Sequence, residues 1–495
     1  MIQLHPQLQP FVPGESDSFD SVKAAHLLNR AGFGGKPAEV AAIAAMGPKH
    51  AVDAIMDFPD AEAAEESRTD QPDFSAIEDY PKSFEERRQL LLGKTDEERK
   101  ALIQQFMAKN REAMAEVLNW WLKRMTAGQY PLHEKLTFFW HGHFTTSARD
   151  ERAAWLMWTQ NETLRRNAAG NFRTFVKEIS RDPAMLDYLN NQENRKAHPN
   201  ENYARELMEL FTLGIGNYTE QDVKEGARAF TGWGHDGEEF IYRKFDHDNG
   251  VKTFFGRSGN FDGDDVIELI LQNPACAPYI AKCLLTFFVQ DEPDPAICKS
   301  LGAVLRENNY DLRPALRTMF ASKLFYSSDV IGGQIKSPVQ LAVGTMRLLE
   351  VDPPVSQQLF AALDQMGQVP FGPPNVKGWP GGRSWINTST LFVRYNTAVW
   401  LAGGGPAIAG GGNVARFVQM PQSGGFFGAR PQFNPSASGS ANEVADLWIA
   451  RLIQRPIAED RRQILVDALG SKPDEQSSVK KMIQLIVSMP EYQLC

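Results

Sequence analysis

Cysteine is scarce. The 495 residues contain four, Cys276, Cys283, Cys298 and Cys495. None falls in a CxxC spacing, so a disulfide-framework fold and a paired-cysteine zinc site are both excluded. No apolar run approaches the ~18 residues that a membrane-spanning helix needs, so no membrane span is expected. The N-terminal stretch has neither a basic n-region nor an apolar h-region, so no secretory signal is read. Cytoplasmic location is the default, and export stays open if the N-terminus is processed. All nine histidines lie at or before His247, so any imidazole chemistry must come from the first half of the chain. Phosphate-binding GxxxxGK[ST], nucleophile-elbow GxSxG and zincin HExxH patterns are missing. His133-Glu134 begins the last of these, but Thr137 breaks it. No nucleotide cofactor is therefore expected. A long basic run is also lacking, and 52 basic against 61 acidic residues give a net charge of −9. A chain of that sign repels phosphate polyanions, so nucleic acid is not an expected partner.

What remains is ordinary globular composition. Hydrophobic residues make up 42% and charged residues 23%, which rules out wholesale disorder. The punctuation predicts a mainly α protein, a multi-helix globular domain with one small β-hairpin insert. Residues 1–58 read as an N-terminal helical unit and 59–82 as an acidic connection. Residues 83–400 read as the main helical domain, 401–441 as a Gly/Ser/Pro-rich linker or flap, and 442–495 as a C-terminal helical appendage. Asp20-Ser21, Thr95 with Glu98, and Thr219 with Asp222 are helix-start signals, and Gly128 is a stop. The hairpin is placed at 239–255, with Asn249-Gly250 supplying the positive-φ turn.

Chemistry concentrates in four places. The first is Phe138-Phe139-Trp140-His141-Gly142-His143, where His141 and His143 are candidate metal ligands. On a continuous helix residues i and i+2 point about 200° apart, so one shared cation needs the helix to end at Gly142. Otherwise these are buried imidazoles bonded to backbone. The second is the helix His198 to Gly214. There Asn202, Glu206 and Glu209 share one face, with Arg205 beside them. Two such carboxylates want a cation, a proton or an arginine between them, and a docking ion-pair lattice with Arg228 is the structural alternative. The third is the expected hairpin tip, which presents His247 and Asp248, followed by Lys252. The fourth is the irregular loop Pro373 to Asn387, where Trp379, Arg383 and Trp385 suit a ligand-facing surface, sugars included, or else a loop held by tryptophan packing.

Several ordered blocks together resemble a known bacterial family, catalogued as domain of unknown function 1800. They are His26 to Gly34, Trp140 to Phe144, Asp182 to Leu186, Asn200 to Gly214, Thr231-Gly232-Trp233, His247-Asp248 with Lys252-Thr253, and Pro373 to Trp385. The likeness runs from about Ala25 to about Asn396. The resemblance implies relatives that are often encoded beside a sulfatase-like family and often carry export signals. It brings no assignment of catalytic residues. From the residues themselves two functions are expected. One is a metal-dependent hydrolase acting on an envelope or saccharide-like substrate. In it a divalent metal of open identity sits on His141, His143, Glu206, Glu209 and His247, with Arg205 and Asp248 assisting. The other is a non-catalytic helical scaffold that binds a partner protein or a glycan through the Trp379/Trp385 loop and the Gly-rich flap.

Overall fold

Helix ends follow the capping chemistry. In the computed structural model, which describes residues 3–59, 71–150, 153–353, 357–404 and 431–495, the Asp20 carboxylate accepts from the Lys23 amide at 3.0 Å and opens α1 (Ser21–Arg30). Helix α2 (Pro37–Ile55) bends where Gly47 leaves helical geometry ahead of Pro48. After α3 (Phe84–Leu91), the Thr95–Glu98 capping box starts α4 (Asp96–Ala127), which Gly128 stops in the left-handed conformation.

Helix α5 (Pro131–His143) is the centre of the molecule. Every residue from Leu132 to His141 is buried, the signature of a helix enclosed on all sides. Against it pack α6 (Ala154–Arg166) and α7 (Phe172–Ile179), and the chain continues through α8 (Pro183–Tyr188) and α9 (Asn202–Glu206). The last runs directly into a π-helical turn, Leu207–Thr212. Then follow α10 (Glu220–Ala229), α11 (Gly263–Gln272), α12 (Cys276–Phe288), α13 (Pro295–Glu307) and α14 (Leu312–Phe320). The second half adds α15 (Pro338–Leu349), α16 (Gln357–Gln365) and α17 (Thr388–Leu401). It ends with α18 (Ala441–Leu452), α19 (Glu459–Leu469) and α20 (Gln476–Val487).

The protein is mainly α, and its strands span 233–259, wider than the expected 239–255 and paired differently. β1 (Trp233–His235) pairs with β2 (Phe240–Tyr242), and β3 (Lys252–Phe254) pairs with β4 (Arg257–Gly259). Two small hairpins thus replace a single 239–255 hairpin. The second turns at Phe255 and Gly256, both at positive φ. Carboxylates of α10 fix it there: Glu225 accepts from the Thr253 amide at 3.1 Å and Asp222 from the Phe255 amide at 2.9 Å. Asn249-Gly250 is instead part of a local turn, in which the Gly250 amide donates to Asp248 Oδ1 at 2.8 Å.

Two hydrophobic cores form. The first gathers residues between Leu8 and Val330, including Phe139, Trp140 and Phe144. The second joins Trp121 and Phe138 to α15, α17 and the C-terminal helices. Adjacent residues of α5, Phe138 and Phe139, therefore serve different cores. Residues 442–495 are no loose appendage. Val444, Leu465 and Ile483 enter the second core, and Gln454 bridges the Gly35 carbonyl and the Asn29 amide, both at 2.8 Å. Residues 60–70 of the acidic connection and 405–430 of the Gly-rich flap lie outside the described residues. Among the described residues no helix is long and apolar enough to cross a membrane.

Candidate functional site

The His-x-His pair does not converge. Helix α5 continues through Gly142 to His143, so the helical twist sends the two imidazoles apart. His141 is buried, and its Nε2 accepts from the Phe371 amide at 3.0 Å. The proton then sits on Nδ1, which has no polar partner and is enclosed by the rings of Trp121, Phe371 and Trp379. Burial holds this imidazole neutral, with its pKa pushed down to about 3. His143 points elsewhere: its Nε2–H donates to the Phe211 carbonyl at 2.9 Å, and desolvation lowers its pKa to about 4. That bond does bring the aromatic turn against the helix carrying the acidic pair, but through backbone rather than through a carboxylate.

The acidic cluster is mostly committed to the fold. Arg205 lies between Glu220 (2.8 Å) and Glu201 (3.1 Å), and these partners raise its pKa. Asn202 donates to the Leu189 carbonyl at 3.2 Å. Glu209 accepts from the Tyr218 hydroxyl at 2.6 Å. Glu206 stays its neighbour: burial first, then the charge of Glu209, raises the Glu206 pKa, while Arg205 and Lys377 oppose. Farther along, His247 Nδ1 bonds the Thr231 carbonyl at 2.8 Å. Asp248 pairs with Arg228 at 2.7 Å, which lowers its pKa, and Lys252 donates to the Asp248 carbonyl at 2.6 Å. Thus His141, His143, Glu206, Glu209 and His247 do not surround one point. Among the described residues no three His, Cys, Asp or Glu side chains are placed to hold a metal ion. The separation has a simple cause, since each imidazole is already bonded to a backbone group of a different element.

The fourth region behaves differently. Trp379, Arg383 and Trp385 all line one cavity of about 940 Å³, within the size range of small-molecule sites. Its walls come from α5, α12, the segment 334–337 and the loop 376–385. Because α5 belongs to both cores and loop residues Val376 and Trp379 pack on different ones, the cavity opens along the seam between them. The loop is held firmly. Trp379 stacks on Phe138 with ring centres 5.5 Å apart, and the Trp385 carbonyl accepts from Thr390 Oγ1 at 2.9 Å. Gly378 has φ +77°, and a Cβ there would stand 2.2 Å from the Gly142 carbonyl oxygen, so only glycine fits. The Trp379 indole N–H is buried without a partner. Amide side chains (Asn29, Gln334, Gln340 and Gln368) stand along the same lining, each with hydrogen bonds of its own to the fold.

Local spacing could not have found the rest of this lining. Arg30, Lys135 and Lys336 reach the cavity from α1, α5 and the segment before α15. One signal was available: Lys135 is a lysine in a helix otherwise committed to the interior.

The fold and site define a mainly helical protein with a polar, aromatic-walled cavity between two cores. Over residues 26–494 the chain matches the family described as Protein of unknown function (DUF1800), and it belongs to that family. The match extends the resemblance through the C-terminal helices, in keeping with their place in the second core. No curated protein and no solved structure matches the chain.

Proposed function

We propose that the chain is a helical scaffold whose cavity binds a saccharide-like ligand. The observation that carries this reading is the convergence of Trp379, Arg383 and Trp385 on one cavity of about 940 Å³ whose other walls hold side-chain amides. Indole faces pack the C–H surfaces of a sugar ring, while amides and guanidinium groups take its hydroxyls. The metal-dependent alternative needs a ligand set around one point, and the imidazoles are engaged with separate backbone groups.

Titration calorimetry of the full chain against a panel of mono- and oligosaccharides tests the reading. At least one member binds, and Trp379→Ala weakens that binding about tenfold or more, the loss expected from one aromatic wall. Arg383→Ala, an exposed and structurally mild change, weakens it as well. A panel without a binder at millimolar concentration, or binding indifferent to both variants, would refute the reading.

A further inference from the structure

The lining of the cavity is strongly asymmetric in charge. Six of its side chains are cationic (Arg30, Lys135, Lys282, Lys336, Lys377 and Arg383) and two, Asp291 and Glu292, are acidic. This occurs in a chain whose net charge is −9. None of the six cations forms an ion pair among the described residues. Three of them are buried, with Arg30 2%, Lys336 5% and Lys135 7% exposed. Asp291 and Glu292 are exposed.

The buried three make their direct hydrogen bonds and ring contacts with neutral groups, and the negative group acting on all of them is Cys495, which lines the same cavity. Arg30 donates to the Val330 carbonyl at 2.8 Å and to Gln334 Oε1, and its Nε has no partner. Lys135 donates to Gln340 Oε1 and lies 4.7 Å from the Phe33 ring centre and 5.5 Å from that of Phe287. Lys336 lies 4.1 Å above the Tyr492 ring. Three buried cations that share one counter-charge are still strongly unfavourable. A lysine can escape by losing its proton, and burial does lower Lys135 to about 7 and Lys336 to about 8. Arginine has no such escape. Cys495 alone does not balance three cations, and an anion entering the cavity makes up the difference.

Resting on the saccharide reading above, we propose that Arg30, Lys135 and Lys336 seat an oxyanion of the ligand, so that the cavity takes an acidic sugar bearing a carboxylate, sulfate or phosphate group. Cationic groups that reach an oxyanion supply charge-assisted hydrogen bonds, which are the stronger kind. The tryptophan loop then receives the ring.

Calorimetry of the full chain at fixed pH and salt decides this. The probes are D-glucose, D-glucuronate, D-glucose 6-sulfate, D-glucose 6-phosphate, and inorganic sulfate and phosphate. At least one acidic sugar binds about tenfold or more tighter than D-glucose, as charge-assisted bonds require, and which one identifies the oxyanion. Lys135→Gln and Lys336→Gln each remove most of that preference, with circular dichroism confirming the fold. Should Arg30→Gln fail to fold, the two lysine variants carry the test. D-Glucose binding as tightly as every acidic sugar overturns the oxyanion seat and leaves the saccharide reading standing. Inorganic sulfate or phosphate matching the acidic sugars, with Trp379→Ala without effect, overturns the saccharide reading and leaves the anion seat standing. No binding by any probe overturns both.

Discussion

His141 shows what an interior imidazole does when no ion is near it. Its Nε2 satisfies the Phe371 amide and its ring fills space among Trp121, Phe371 and Trp379. Burial alone lowers its pKa to about 3, against about 6.5 for an unfolded histidine. The folded state thus refuses a proton that the unfolded state accepts. The stabilisation is complete above pH ~6.5 and declines as pH falls below it, by up to about 1.4 kcal/mol per pH unit. Replacing His141 with Leu leaves the Phe371 amide without its acceptor and costs about 1–3 kcal/mol at pH 7. The same variant loses stability less steeply toward pH 5, because one proton-linked group is gone. Urea melts at pH 7, 6 and 5 check both expectations, and parallel pH slopes for the two proteins would contradict the second. The sequence named His141 and His143 together because only two positions separate them. Which nitrogen meets which backbone group depends on the 371 segment and on the π-helical turn, both distant in the chain.

At the scale of elements, Glu134 joins three helices. From α5 it accepts from Trp121 Nε1 at 3.0 Å and Arg124 at 2.9 Å on α4, and from Arg165 at 3.1 Å on α6. The two arginines hold its carboxyl at about 2 against the opposing effect of burial, the largest single influence on it. Glu134→Gln leaves Arg165, itself 3% exposed, with Glu162 as its remaining counter-charge. The expected loss is about 2 kcal/mol, short of the ~3–5 kcal/mol for a charge left wholly unpaired, and thermal or urea denaturation measures it. Helix limits were legible beforehand wherever one side chain sets them, as at Thr95, Thr219 and Gly128. The hairpins were not. Asn249-Gly250 carries the strongest local turn signal, yet the α10 carboxylates of Asp222 and Glu225 anchor the next five residues and move the turn to Phe255-Gly256. A phenylalanine at positive φ gives no sequence warning.

For the whole molecule, the decisive arrangement is two cores sharing one central helix, with a cavity along their seam. The tryptophan loop could be picked out from composition, since aromatics, glycines and an arginine crowd an irregular stretch. The cations behind it could not, because positions 30, 135 and 336 meet only after both cores assemble. The C-terminal helices belong to that assembly. Tyr492 shares a 2.7 Å hydrogen bond with Thr345, and Arg394 donates to Gln493 at 2.9 Å. Ending the chain at residue 441 bares the second core, which Val444, Leu452, Val479 and Ile483 otherwise cover. The shortened protein is expected to be insoluble, or to lose its cooperative thermal transition. A soluble product melting within a few degrees of the full chain would contradict that placement.

The contact between Gly378 and Gly142 has a further meaning. Backbone presses on backbone there, with no room for one methyl group, so the gap beneath the tryptophans is a fixed gauge. Side-chain rearrangement can tune most binding clefts, but here that route is closed on one side. A relative handling a bulkier molecule would have to rebuild the opposite bank, along α12 and the 334–337 segment, and those are the positions where divergence between relatives would report a change of diet.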